Sequence, residues 1–162
     1  MGAELRQGYI DLGYELFRDK DTLKSKFYQA NVLDDIATGA WPALVGRFDV
    51  VNFSLVLHCF EREGQVAMLA RGIAALKPGK LGTTIMGTAC GAVEATELEW
   101  DGKVPVHSPE SFRELVAEVE ERTGTKWEVD VALDNFYNPD DERFNWIGAK
   151  MKRLVFELTR VA

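Results

Sequence analysis

The sequence predicts an α/β fold: a mainly parallel sheet flanked by helices. Three observations carry it. Periodicity switches repeatedly between helical and strand-like along the chain. Phe48–Leu57 (FDVVNFSLVL) is a nearly continuous apolar, β-branched run, the pattern of a parallel strand buried on both faces. A helical stretch, Glu63–Leu76, then follows and is stopped by Lys77-Pro78-Gly79 before a further strand.

Taken in order, Arg6–Arg18 carries an apolar stripe of Tyr9, Leu12, Leu16 and Phe17 and reads as an amphipathic helix despite Gly8 and Gly13. Lys26–Val32 reads as a short strand, and Trp41–Val45 as a helical turn with Pro42 at its start. In Glu63–Leu76 the residues Val66, Leu69, Ile73 and Leu76 share one face. Leu81–Thr88 is the next strand. Glu110–Thr123 is a second strong helix, which Ser108 can cap and Pro109 can open. Lys126–Leu133 and Lys152–Val161 alternate like strands, with a polar, aromatic loop at Phe136–Ile147 between them.

The 162 residues suffice for one domain, and an apolar share of 46% is ordinary for a soluble one. A net charge of −7 argues against nucleic acid or an acidic membrane as partner. No stretch has the apolar core of a signal peptide or membrane helix. Cys59 and Cys90, far apart and without a CxxC pattern, read as reduced thiols, and two Cys with two His make a zinc site improbable. The cytoplasm is the expected location.

The run FDVVNFSLVLHCFEREGQVAMLARGIAALKPG, from Phe48 to Gly79, resembles the fourth strand, loop and following helix of class I S-adenosylmethionine (SAM)-dependent methyltransferases. Leu12–Phe27, Phe53–Val66 and His107–Val129 resemble segments of methyltransferases from fungal natural-product pathways, and Thr123-Gly124-Thr125-Lys126-Trp127 is the most specific of these matches. The resemblance covers almost the whole chain and implies a single, truncated Rossmann-like domain over residues 1–162. It places Glu4 on the position of the acid that binds the SAM ribose. Asn31 falls where the family often has an Asp contacting adenine, and Ser54 falls in the strand-four region of the cofactor site. The glycine-rich turn that lets the backbone approach the cofactor has no counterpart; Gly79-Lys80-Leu81-Gly82 follows a helix and cannot replace it.

In that family the first strand lies between the second and fourth, so its loss would expose an edge of Phe48–Leu57. Two repairs are expected: the third strand moves against the fourth, or two chains associate, of which an isologous homodimer is preferred.

His58 follows the fourth strand at the carboxyl edge of the sheet, where an imidazole can exchange protons; the plainer reading is a local hydrogen bond. His107 precedes a helix start, which favours the neutral ring, and either serves as a base or donor or helps Ser108 cap the helix. Both are taken as catalytic candidates. Cys59 is a weaker one, a nucleophile or a small core residue. Glu94, Glu97, Glu99 and Asp101 surround Trp100 in an acidic stretch that either orients substrate or is a solvated loop. Trp41, Phe136, Tyr137 and Trp146, with Glu94 and Trp100, are the candidate substrate contacts for an apolar ligand, against ordinary packing.

Three functions follow in order of preference. The first is a cofactor-free cyclase or isomerase of secondary metabolism acting on an apolar natural-product intermediate. The second is a SAM-dependent O- or carboxyl-methyltransferase completed by a partner chain. The third is a non-catalytic partner of a full-length relative.

Overall fold

The computed structural model describes residues 1–99, 102–134 and 151–162, which divide into two compact units, Met1–Val45 and Gly46–Ala162. In the first, strand β1 (Gly2–Glu4) pairs in parallel with β2 (Phe27–Gln29), Glu4 opposite Gln29. Helix α1 (Gln7–Phe17) connects them and ends on Arg18, whose left-handed φ of 52° lets its N–H reach the carbonyl of Tyr14. The apolar stripe expected to be buried is not: Tyr9, Leu12, Leu16 and Phe17 are all exposed, and Ile10 is the buried residue of the helix. A single 3-10 turn at Trp41–Ala43 holds Pro42, as expected.

The second unit contains β3 (Val50–Ser54), α2 (Arg62–Ala75), β4 (Thr84–Ala92), β5 (Thr96–Glu99), β6 (Lys103–Val106), α3 (Pro109–Thr123), β7 (Trp127–Asp134) and β8 (Met151–Arg160). Four strands form one sheet in the order β3-β4-β8-β7. β3 and β4 are parallel, whereas β8 runs antiparallel to both neighbours. The α/β class holds, and the sheet is mixed. β5 and β6, expected as loop, form an antiparallel hairpin with Lys103 reaching Glu97 at 3.5 Å.

Caps set the helix ends as the sequence implied. Ser108 accepts the Ser111 N–H, the Ser111 hydroxyl accepts the Ser108 N–H, and Pro109 begins α3. Gly124 closes it at φ 65°. Arg62 of α2 bonds Glu118 of α3 at 2.9 Å, tying the two helices together.

Both helices lie on one face of the sheet. The Phe112 ring packs on Phe156 with centroids 4.7 Å apart, and a Cβ on Gly72 would meet Phe53 and Ile85. Cross-strand register puts Phe53, Ile85, Leu154, Phe156 and Leu158 on this covered face, and Val50, Asn52, Met86, Val155, Glu157 and Asp130 on the other. That other face is bare: Val50 is 52% exposed, Met86 41% and Val155 37%, against 2% for Phe156. Among the described residues β3, expected to be buried on both sides, is an edge strand with one open face. The expected third strand, β2, pairs with β1.

Candidate functional site

Parallel strands carry their neighbouring loops to their carboxyl ends, and open α/β sheets bind ligands there. In the first unit Glu4 ends β1, and its carbonyl accepts the Ala30 N–H just beyond β2. Asn31 follows directly, so the two candidate cofactor residues sit at adjacent strand ends. Glu4 Oε1 accepts the Arg6 N–H at 2.9 Å, leaving Oε2 as an acceptor. Asn31 Oδ1 accepts the Leu33 N–H at 3.0 Å, and its Nδ2 has no partner among the described residues. The Trp41 indole donates to the Asn31 carbonyl at 2.8 Å. Trp41 is therefore a buried post under the Asn31 turn, rather than an open wall for ligand.

In the second unit β3 ends at Ser54, whose hydroxyl donates to Asn52 Oδ1 at 3.0 Å. Leu55 then takes a left-handed φ of 56°, which for a leucine costs on the order of 1 kcal/mol. Its N–H is held by the Thr88 carbonyl at 2.7 Å. This turn leads into a 3-10 turn, Leu57–Cys59, that lays His58 against β4. His58 Nδ1 accepts the Cys90 N–H at 3.2 Å. In the neutral ring the proton then sits on Nε2, which makes His58 a donor at that atom. Burial lowers its pKa, favouring the neutral form. The Cys59 thiol is pushed up by burial, which opposes a thiolate nucleophile.

His107 meets the same end of β4 through its backbone, its carbonyl accepting the Ala92 N–H at 3.0 Å. Its side chain faces elsewhere. Nε2 lies 2.7 Å from Gln65 Oε1 and Nδ1 lies 3.0 Å from the Ser111 hydroxyl, in a buried setting. Gln65 in turn donates to the Pro105 carbonyl at 3.1 Å, which orients its amide so that Oε1 accepts from His107 Nε2. Burial first, then the Arg62 guanidinium, lowers the His107 pKa to about 4, against a hydrogen bond at Ser111 that raises it. The two histidines thus reach one strand end, but His58 keeps an unengaged nitrogen while both of His107 are taken.

Glu94 is exposed in the turn before β5. Trp100, Asp101, Phe136, Tyr137 and Trp146 lie outside the described residues. Sequence reasoning missed Gln65, since a polar residue in an amphipathic helix reads as solvent-facing. It also missed Leu55, because nothing in a leucine announces a left-handed backbone.

No family model matches the chain. It is 37% identical to O-methyltransferase phiE of a Fungal sp. over 80% of this chain and 44% of that protein. It is 34% identical to O-methyltransferase atr3 of Stereocaulon alpinum over 99% of this chain and 46% of that protein. The chain spans about half the length of the curated relatives it matches. Among solved structures it is similar to an O-methyltransferase of a Brevibacillus brevis polyketide synthase in complex with S-adenosylhomocysteine (SAH) (TM-score 0.63, 13% identity, 99% of this chain and 58% of that one). It is also similar to the [4+2]-cyclase SpnF (TM-score 0.65, 11% identity, 98% of this chain and 65% of that one). At such identities these two share the fold and nothing finer.

The relatives overturn the expectation of an enzyme without a cofactor, a cyclase or isomerase. The likeness at 34% identity or more is to methyltransferases and runs along 80% of the chain in one match and 99% in the other. The [4+2]-cyclase contributes no comparable sequence identity. Moreover, both histidines assigned to acid–base work are pinned in hydrogen bonds that leave no free basic nitrogen in the neutral ring.

Proposed function

Because the chain has the class I SAM-dependent methyltransferase-like fold and is related to fungal natural-product methyltransferases, we propose that it serves in methylating a small molecule, at a hydroxyl or carboxyl oxygen, with SAM as donor. The observation that carries this reading is the 37% and 34% identity to two fungal O-methyltransferases.

SAM supplies an electrophilic methyl group when bound. The donor set of the first unit suits its adenosine part. Glu4 Oε2 would accept from the ribose hydroxyls, while the Arg6 N–H holds the other oxygen and fixes the carboxylate. Asn31 Nδ2 would be the donor toward the adenine, its orientation set by the Leu33 N–H on Oδ1. Ser54, at the carboxyl end of β3, offers a hydroxyl beside the strained Leu55 turn. His58 donates through Nε2 and so orients an oxygen of the acceptor substrate instead of deprotonating it. That role suits a carboxylate, which needs no base to be nucleophilic. His107 positions the β6–α3 junction through Gln65 and Ser111.

The test is calorimetric titration with SAH of this chain co-expressed with the portion of phiE that it does not match. SAH binding that falls about tenfold or more in Glu4→Ala is expected, the loss of a charged hydrogen-bonding partner. A folded complex that ignores SAH would overturn the reading.

A further inference from the structure

Three successive backbone groups on one edge of β4 find three different kinds of partner. The Thr88 carbonyl takes the Leu55 N–H at 2.7 Å, the Cys90 N–H goes to His58 Nδ1 at 3.2 Å, and the Ala92 N–H goes to the His107 carbonyl at 3.0 Å. The first closes the ladder between β3 and β4, and the third belongs to a parallel bridge between Gly91 and His107, just past β6. Between them a side chain stands where a strand would.

A parallel ladder advances two residues on both strands from one such bond to the next, which identifies the carbonyls that Cys90 is denied. Along β3, where the Thr84 N–H reaches the Asp49 carbonyl, the series arrives at the carbonyl of Leu55. Leu55 is the residue whose left-handed φ of 56° turns the chain out of the strand. Along β6, where Ala92 pairs with His107, the series runs back to the carbonyl of Pro105. That oxygen is occupied: it accepts from Gln65 Nε2 at 3.1 Å. Gln65 is fully buried in α2, and His107 Nε2 lies 2.7 Å from its Oε1, so its amide cannot turn without breaking both bonds. Burial also keeps water from replacing either of them.

We propose that Gln65 is a positioning residue for His58: by claiming the Pro105 carbonyl it withholds that oxygen from β4, leaves the Cys90 amide to the imidazole, and so fixes the neutral ring as an Nε2–H donor. Without Gln65, β6 would pair one step further along β4, and His58 would lose the bond that selects its tautomer. That His58 then orients an acceptor oxygen rests on the methyltransferase reading; the brace itself stands on the geometry of this one unit.

The experiment is nuclear magnetic resonance of the isotope-labelled chain. It reads the nitrogen–nitrogen coupling transmitted through the hydrogen bond from the Cys90 amide to His58 Nδ1, and the protonation of both ring nitrogens. The wild type should show the coupling and an Nε2–H ring. In Gln65→Leu the coupling should disappear, the Cys90 amide should couple instead to the Pro105 carbonyl carbon, and Nδ1 should take a share of the ring proton. A loss of stability alone, from a buried His107 left without its acceptor, would change none of these in the folded chain. Should Gln65→Leu fail to fold, Gln65→Leu with His107→Phe removes both partners of the buried bond together and carries the same expectation. The proposal is overturned if the wild type lacks the coupling, or if a folded variant keeps it undiminished. The coupling is read without ligand, so SAH titration separates the two readings. Dependence on Gln65 without SAH binding keeps the positioning and retires methyl transfer; SAH binding with a coupling indifferent to Gln65 does the reverse.

Discussion

The two faces of the four-stranded sheet are made from the same strands, yet one is a core and the other a surface. On the covered face Ile85, Leu154, Phe156 and Leu158 are nearly or fully excluded from water beneath α2 and α3. On the bare face their immediate sequence neighbours Met86, Val155 and Glu157 stand in solvent. The period of two along a strand makes this division possible, and the helices decide its sense. The stability of this unit is therefore concentrated on one side. Phe156 on the covered face stacks on Phe112 of α3. Phe156→Ala is expected to cost about 3–5 kcal/mol in urea unfolding, by lost burial and the cavity left behind. A loss below about 1 kcal/mol would mean that the helices do not seat on this face as described.

The two histidines at the end of β4 differ in their settings, His107 being buried in the Gln65 network and His58 half-buried on the Cys90 N–H. His107 titrates at about 4 in the fold, against an ordinary value of 6.5. The unfolded chain therefore takes up a proton that the folded chain refuses, and stability falls as pH drops through that interval, levelling out below about pH 4. Between about pH 7 and pH 5 the expected loss is roughly 2 kcal/mol, with His58 adding in the same direction. Asp49, lowered to about 2 by its hydrogen bonds to Lys77 and Lys80, loses its contribution only at more acidic pH and leaves this window clear. Urea midpoints for the wild type and His107→Gln across the window give the test. Equal slopes would show that His107 is not the buried neutral group. One step smaller, Ser108→Ala removes the cap of α3 and is expected to cost about 1 kcal/mol by the same measurement.

Legibility in the sequence followed the range of the forces involved. The start of α3 could be read because Ser108 and Pro109 act on the next few residues alone, and the Lys77-Pro78-Gly79 stop of α2 could be read for the same reason. The β5–β6 hairpin could not, since Glu97 and Glu99 read as solvated loop and their partners come from across the turn. For β3 and α1 the apolar pattern suggested burial that the described chain does not supply. An apolar pattern records which neighbours suit a surface, without saying which polypeptide brings them. Glu4 and Asn31 came from resemblance, and the structure added that one strand pairing sets them side by side. The pinned tautomer of His58 depends on a backbone amide 32 residues away, which no local pattern encodes.

Met86 and Val155 lie on the bare face, one residue along from Ile85 and Phe156. Met86→Gln and Val155→Thr remove apolar atoms that already touch water, so the isolated chain should change by no more than about 0.5 kcal/mol in urea unfolding. The same changes at a covered position would desolvate a polar group without a partner and cost on the order of 1–3 kcal/mol. Stability of the chain alone therefore reports whether this face is open. A cost above about 1 kcal/mol in either variant would mean that the chain already covers Met86 and Val155 by itself, and the two faces would then differ in degree only.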